Sequence, residues 1–430
     1  VRLAFFTTRR SLATHPSAWS LLQRLADNHV AIDVFAEVDV LADLRAHEGV
    51  ASVFPAPAAG NERAESATRT NILLGALMSR AGITPTSRGY RLGGRIMHAR
   101  DGRRRMDAAR TDPRRLAASS SAVALFDEVL QAVRYDVCVG MGHEGLALAR
   151  WSLPGVPLVY FSDELFYSGH PEFGGPAFRM AKRLEAEAFV WAALVMVQDE
   201  ERARLLFADN EAPWDPSRVV YCPVSWLGPG VRARTDWLKE RWPQLRSKRV
   251  LLQHGSIVNQ RRSGQLMKAS SKCPDDMVVV FHGGLAPNLA RAARTTRAIF
   301  SPPDVPLEEL HKVVASADIG LVFYAADNEN DRLIAHASGQ LALFLQCGIP
   351  VIAGGGGTHE AIVREYGCGL VVARESEVFS AARAILADYD AFSARAIACF
   401  EKEYNLDEPL GLIVQRLSHM AARAGIAKAQ

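Results

Sequence analysis

The chain has no apolar run of the ~20 residues that a membrane-spanning helix needs; its longest nearly uncharged stretch is Ala188–Val197. Cysteine pairs are missing as well. Cys138, Cys222, Cys273, Cys347, Cys368 and Cys399 are scattered without a C-x-x-C, which argues against a zinc ribbon or disulfide framework and for reduced structural thiols. His15, His254, His282, His336 and His359 lack the short helical spacing with a carboxylate that marks a zinc site. The run GGGG at 354–357 is not a G-x-G-x-x-G with an acidic residue ~20 positions later, so a dinucleotide oxidoreductase is disfavoured. Neither sign of charge dominates: 50 Lys and Arg face 47 Asp and Glu, for a net charge of +3. Internal repeats and long low-complexity tracts are absent too. Because VRLAFF at the start reads directly as a strand, a cytoplasmic protein without a leader is expected.

With 430 residues, 49% of them hydrophobic, the chain can fill two α/β cores, and one domain of this size would be unusual. The small net charge conceals one basic stretch. Arg88–Arg115 holds ten arginines against three aspartates, with Gly93, Gly94 and Gly102 interrupting any helix. It reads as a solvated insertion, or as a contact for anionic lipid headgroups at the inner membrane face or for a phosphorylated acceptor. Nucleic acid is not expected as a partner, because Tyr90 is the only aromatic among the arginines.

Strands and helices alternate from the first residue. VRLAFF, VAIDVF (30–35), DVCVG (136–140), VPLVYF (156–161) and LVMVQ (194–198) read as strands, with amphipathic helices at Ser17–Asn28 and Phe178–Trp191. A segment rich in proline and tryptophan, Val219–Gln244, separates these from a second series: RVLLQHG (249–255), DMVVVFHGG (276–284), DIGLVFY (318–324), IPVIAGGGG (349–357) and GLVVA (369–373). The expected organisation is a Rossmann-like domain over 1–225 with the basic insertion at 88–115, a hinge at 226–246, and a second Rossmann-like domain over 247–404. A terminal helix at 405–430 is expected to return to the first domain.

Two such domains bind ligands in the cleft between the carboxyl ends of their strands. The most informative loop leads from Asp327 into Ser338-Gly339. A helix entered through Ser-Gly presents free N–H groups at its positive dipole end, which suits a pyrophosphate and equally describes an ordinary N-cap.

Four segments in order resemble the retaining GT-B glycosyltransferases of family 4. SGQLALFLQCGIPVI is similar to S-G-K-L-x-E-Y-L-x-x-G-x-P-V-I, VLLQHGSIVNQRR to V-L-Y-Q-G-x with a basic residue downstream, and VPLVYFSDELF to P-V-V-Y-D-x-H-E-L-F. KRLEAEAFVWAALVMVQDEERARLL resembles the helix, strand and helix that close the first domain. The resemblance implies an α/β GT-B fold and a hexosyltransferase-type enzyme of polysaccharide biosynthesis. It would move a sugar, with retention, from a nucleotide-sugar donor to a glycan or lipid-linked acceptor. The nucleotide-sugar is a substrate, so no cofactor is implied. No essential metal is implied either, because no D-x-D stands where a diphosphate would need one.

Carried to this sequence, the resemblance gives Gly255, Ser256, Arg261, Arg262, Ser338, Gly339 and Gln340 to the donor phosphates. Asp327, Glu329 and Asn330 fall to the donor sugar, and Asp163 and Glu164 to the reacting centre. Apart from the resemblance, Glu360 after the glycine run reads as a sugar-hydroxyl ligand or as a first-turn acid stabilising its helix, and His143 and Glu144 in the loop after DVCVG read as contacts for the donor sugar or the acceptor hydroxyl. Three positions depart from the pattern. Gln340 replaces a lysine, Leu343 an acid that binds ribose, and Asp163 a histidine; leucine accepts no hydrogen bond, so ribose recognition must come from elsewhere. Those departures leave two other readings open, a non-catalytic subunit or sugar-nucleotide binder and a sugar-nucleotide epimerase of the same architecture.

Overall fold

The computed structural model describes residues 1–8, 15–37, 50–56, 106–170, 174–303, 305–306 and 309–429. Residues 88–105 of the arginine-rich stretch lie outside them, and the described part begins at Met106.

Two all-parallel sheets organise these residues. The first has seven strands in the order β3-β2-β1-β4-β5-β6-β7, the second six in the order β10-β9-β8-β11-β12-β13. In the first sheet β1 is Arg2–Thr7, β2 Ala31–Glu37, β3 Val50–Ala56, β4 Val137–Met141, β5 Leu158–Phe161, β6 Ala192–Val197 and β7 Val219–Tyr221. In the second β8 is Arg249–His254, β9 Met277–His282, β10 Ile299–Ser301, β11 Ile319–Phe323, β12 Val351–Gly354 and β13 Gly369–Val371. Strands buried on both faces explain the continuous apolar runs, as in FF of β1 or VVVF of β9.

The sequence reading lacks three of these strands. It omits β3 and β10, and it puts Val219–Tyr221 in the separating segment although β7 pairs with β6 from Val195↔Val219 onward. Strands β7 and β10 are three residues long, too short for any periodicity to register.

In each sheet the strand order reverses at the centre, between β1 and β4 and between β8 and β11, and there the loops at the carboxyl ends part to leave a crevice. Close packing of helix on strand brings these loops into position. A Cβ on Gly145 would sit 2.6 Å from the Phe6 carbonyl oxygen, so the helix Gly142–Ser152 rests directly on β1. The helix Gly339–Gln346 starts at Ser338, whose side chain accepts from the Leu341 N–H at 3.1 Å. The chain then turns at Gly348, where φ is +64°.

Each sheet is covered on both faces. The last helix, Asp407–Ala429, leaves the second half and lays Leu410, Ile413 and Leu417 into a cluster with Leu3, Val139 and Met196 of the first sheet. Burial of each such side chain stabilises by about 1.5–3 kcal/mol. Leu410→Ala is expected to lower the unfolding free energy by about 2–5 kcal/mol, because a cavity adds to the lost transfer energy. A denaturant titration followed by circular dichroism checks this.

Candidate functional site

On the second half, the site is built around the turn that ends β8. Gly255 has φ +90°, and a Cβ there would fall 2.7 Å from Nη1 of Arg261. Only glycine lets the guanidinium lie over this turn. Arg261 donates to the His254 carbonyl at 3.1 Å, and Nε2 of Gln340 donates to the same oxygen at 2.8 Å. Tyr324, at the end of β11, exchanges a 2.7 Å hydrogen bond with Ser338 Oγ, and the Arg261 guanidinium stands 5.7 Å from its ring centre. One cation, a glycine turn and the entrance of a helix therefore converge. The N–H groups of Gly339 and Gln340 fall in the first helical turn, which has no internal acceptors.

Two buried atoms at this turn, Nε2 of His254 and Oε1 of Gln340, have no hydrogen-bond partner among the described residues. Burial, and then the charge of Arg261, pull the His254 imidazole down to about 3, so it is neutral at working pH and offers one N–H without a charge. Ser256 is exposed beside it. The structure separates the two arginines expected to serve the phosphates: Arg262 turns away and pairs with Glu375 at 2.5 Å, leaving Arg261 as the cation at the glycine turn. Glu360 accepts from the Gly356 N–H at 2.8 Å and pairs with Arg364 at 2.8 Å, which fixes the glycine run.

On the first half, Glu144 opens the helix after β4 and accepts from the Thr8 hydroxyl, joining the two loops at the strand reversal. His143 lies flat on Phe166, with ring centres 3.6 Å apart. Asp163 is buried and Glu164 exposed on the loop after β5. That loop is braced from below. Lys182 donates to the Phe166 carbonyl at 2.8 Å and pairs with Glu185 at 2.7 Å and Asp209 at 2.5 Å. Gln198 donates to the Ser162 carbonyl at 2.7 Å.

The halves meet through the segment between β11 and Ser338. Leu333, 2% exposed, belongs to the second half yet packs in the first-half cluster with Leu165, Tyr167 and Leu206. Asn330 accepts from the Leu165 N–H at 3.0 Å and donates to the Leu165 carbonyl at 2.9 Å, and the Glu329 N–H donates to the Tyr167 hydroxyl at 2.9 Å. Arg202, fully buried, donates to Gln198 at 2.7 Å, to the Leu333 carbonyl at 3.0 Å and to Asn330 at 3.0 Å. Of the residues expected at the donor sugar, Asn330 and Glu329 are thus engaged with the first half, and Asp327 is exposed. Asp331 is held above the usual carboxylate range by burial first and by Glu164 and Asp327 as well; an Asn328 hydrogen bond and Arg261 oppose the shift. Glu164 of one half thereby shares an electrostatic environment with Asp331 and Arg261 of the other.

Sequence reading missed Arg202, Tyr167, Tyr324 and Asp331. In EERARLL, Arg202 looks like any solvent-facing helical arginine, since its partners Asn330 and Leu333 are 128 and 131 residues away. His336, set aside as a lone histidine, bridges Asp199 of the first half at 3.4 Å and Glu403 at 3.0 Å. Among the described residues, no three His, Cys, Asp or Glu side chains are grouped to hold a metal ion, and no helix is long and apolar enough to cross a membrane.

No family model matches the sequence, and no curated protein matches it in sequence. Its fold does match solved structures. HepE from Anabaena in complex with UDP and glucose superposes with a TM-score of 0.64 at 13% identity, covering 97% of this chain and 99% of that one. Sucrose-phosphate synthase from Thermosynechococcus elongatus gives 0.64 at 14% identity, over 98% and 99%. WaaG, a glycosyltransferase involved in lipopolysaccharide biosynthesis, gives 0.59 at 13% identity, over 97% and 99%. At these identities the likeness establishes the GT-B fold, two Rossmann-like domains facing a cleft.

Two outcomes follow from the contacts between the halves. Asn330→Ala or Tyr167→Phe is expected to speed hydrogen exchange at the Leu165 and Glu329 amides respectively by tenfold or more, as read by mass spectrometry, while core strands stay protected. Burial opposes charge on His336, but its bonds to Asp199 and Glu403 outweigh that and raise it to about 9. Its stabilisation is therefore complete below the unfolded value of roughly 6.5 and fades as pH rises through about 9. Thermal melts of His336→Gln should lose the part of the alkaline decline that the histidine causes.

Proposed function

We propose that the chain is a glycosyltransferase that takes a sugar from a nucleotide-sugar donor and passes it, with retention, to a glycan or lipid-linked acceptor. The observation that carries this reading is the convergence of Arg261, the Gly255 turn and the Ser338–Gly339 helix entrance on one point of the cleft. Glycosyl transfer needs charge stabilisation on a departing diphosphate. A guanidinium and the positive end of a helix, held in place beforehand, supply it without reorganisation. HepE, of the same fold, has been solved with UDP and with UDP-glucose, which supports a nucleotide-sugar as the ligand class.

In this reading Gly255 and Ser256 let the donor phosphates approach the backbone. Gly339 and Gln340 bind them through their N–H groups, and Arg261 neutralises the leaving group. Asp163, Glu164 and His143 face the reacting centre from the acceptor side. The buried Leu333 contact keeps the cleft closed around the donor and excludes water that would otherwise hydrolyse it. The donor is a substrate, and no cofactor enters.

One observation favours a second reading. Leu343 is 1% exposed and packed in the second-half core, so the helix offers no ribose acceptor there. A protein that binds the sugar-nucleotide without transferring it would tolerate that change. Thermal unfolding against UDP-, GDP-, ADP- and TDP-sugars, followed by transfer and donor-hydrolysis assays, separates the two. Transfer predicts a raised midpoint with one nucleotide; a ligand at a hundred times its Kd stabilises by about 2.7 kcal/mol. Arg261→Ala should weaken that ligand by about 1.5–3 kcal/mol, roughly ten- to a hundredfold, and slow transfer further. A shift without turnover supports the binder, and no shift with any nucleotide defeats both readings.

A further inference from the structure

Away from the cleft, at the amino edge of the first sheet, two large apolar side chains point into solvent. Val190 is 58% exposed and Trp191 60%, directly before β6 begins at Ala192. Among the described residues these are the two most exposed large apolar side chains, and arginines lie beside them.

A chain of contacts links these arginines to the apolar pair. The Arg150 guanidinium lies 4.2 Å from the Trp191 ring centre. Arg218 donates to the Phe189 carbonyl, next to Val190, at 3.1 Å, and Arg416 donates to the Ser217 carbonyl, next to Arg218, at 3.2 Å. From Arg416 the terminal helix continues past His419 to Arg423. Spacings of three and four residues put all three on one helical face. That face and Met420 border a groove of about 490 Å³ floored by Ala193 and Leu194, with no carboxylate in its lining. Among the described residues, no ion pair joins Arg150, Arg218, Arg416 or Arg423 to an acid, whereas nearby Arg183 is paired with Glu187.

We propose that Val190 and Trp191, with Arg150 stacked on the indole and Arg416 and Arg423 along the adjoining groove, form a docking surface for an anionic lipid bilayer. An indole and a valine at the tip match the boundary between headgroups and acyl chains, where tryptophan is favoured. Arg150, Arg416 and Arg423, which form no ion pair among the described residues, match a surface of negative headgroups. A polyanion in solution would use the arginines but has no need of the apolar tip, so the combination selects a membrane. The surface is separate from the stretch Arg88–Arg115, and the inference does not depend on the sugar-transfer reading.

Sedimentation of the full chain with phosphatidylcholine vesicles, with and without phosphatidylglycerol, at about 0.15 M salt tests the proposal. At least tenfold stronger partitioning onto the phosphatidylglycerol vesicles is expected, with a blue shift of tryptophan emission. Arg416→Glu with Arg423→Glu should lower that partitioning tenfold or more, and Val190→Ser with Trp191→Ser should lower it with charge unchanged. Trp191→Phe, which keeps the apolar tip, should preserve binding and remove the emission shift. These side chains are exposed, and circular dichroism confirms that each variant is folded. Equal binding to both vesicles, no binding to either, or binding indifferent to both double variants would overturn the proposal. So would binding that depends on the arginines but not on residues 190 and 191, with inorganic polyphosphate competing fully, since that describes a polyanion site.

Discussion

Leu333 crosses from one half of the molecule into the apolar interior of the other, and the cleft takes its form from that intrusion. A leucine so placed must leave water, and its own backbone polar groups go with it. Arg202 meets the Leu333 carbonyl, and Asn330 beside it is held by Leu165. A fully buried guanidinium is costly unless its donors are met, and here three acceptors surround it, two of them on the opposite half. The loop after β5, carrying Asp163 and Glu164, is thereby set at a defined distance from the loop after β11.

The donor side depends on this contact. Five residues after Leu333 comes Ser338, the cap of the helix whose entrance faces Arg261 and the Gly255 turn. The first half also reaches over that entrance: a Cβ on Gly339 would lie 3.1 Å from the Val224 side chain and 3.7 Å from Pro16. Any shift of one domain against the other is therefore transmitted to the N–H groups proposed to hold a diphosphate. Shape, charge and closure act here on the same few residues.

Much of this was legible in the sequence. Alternating apolar runs and helical stretches point to two parallel sheets, and Ser338-Gly339 marks a helix start because cap chemistry is local. The turn at Gly255 could be anticipated for the same reason. What resisted reading was everything set by distant partners. Arg261 and Arg262 are adjacent and chemically alike, but a carboxylate more than a hundred residues on, Glu375, takes one of them and leaves the other at the turn. Arg202 and His336 carry no local sign of burial, and Asn330 looks like a polar loop residue until Leu165 is placed against it. Three-residue strands such as β7 take their structure from their neighbours rather than from their own pattern.

The polypeptide passes between the halves twice, once after Tyr221 and again between Tyr404 and Asp407. Both passages border the same cavity of about 650 Å³, whose wall includes Tyr221, Pro223, Asn405 and Asp407. A body joined to another by a single thread can tumble freely, whereas one joined by two neighbouring threads swings about the line through them. The molecule resembles a book whose spine runs through these two passages. Any opening would swing about that spine and part the Leu333 edge, exposing the Arg261 turn without letting the domains slide past one another.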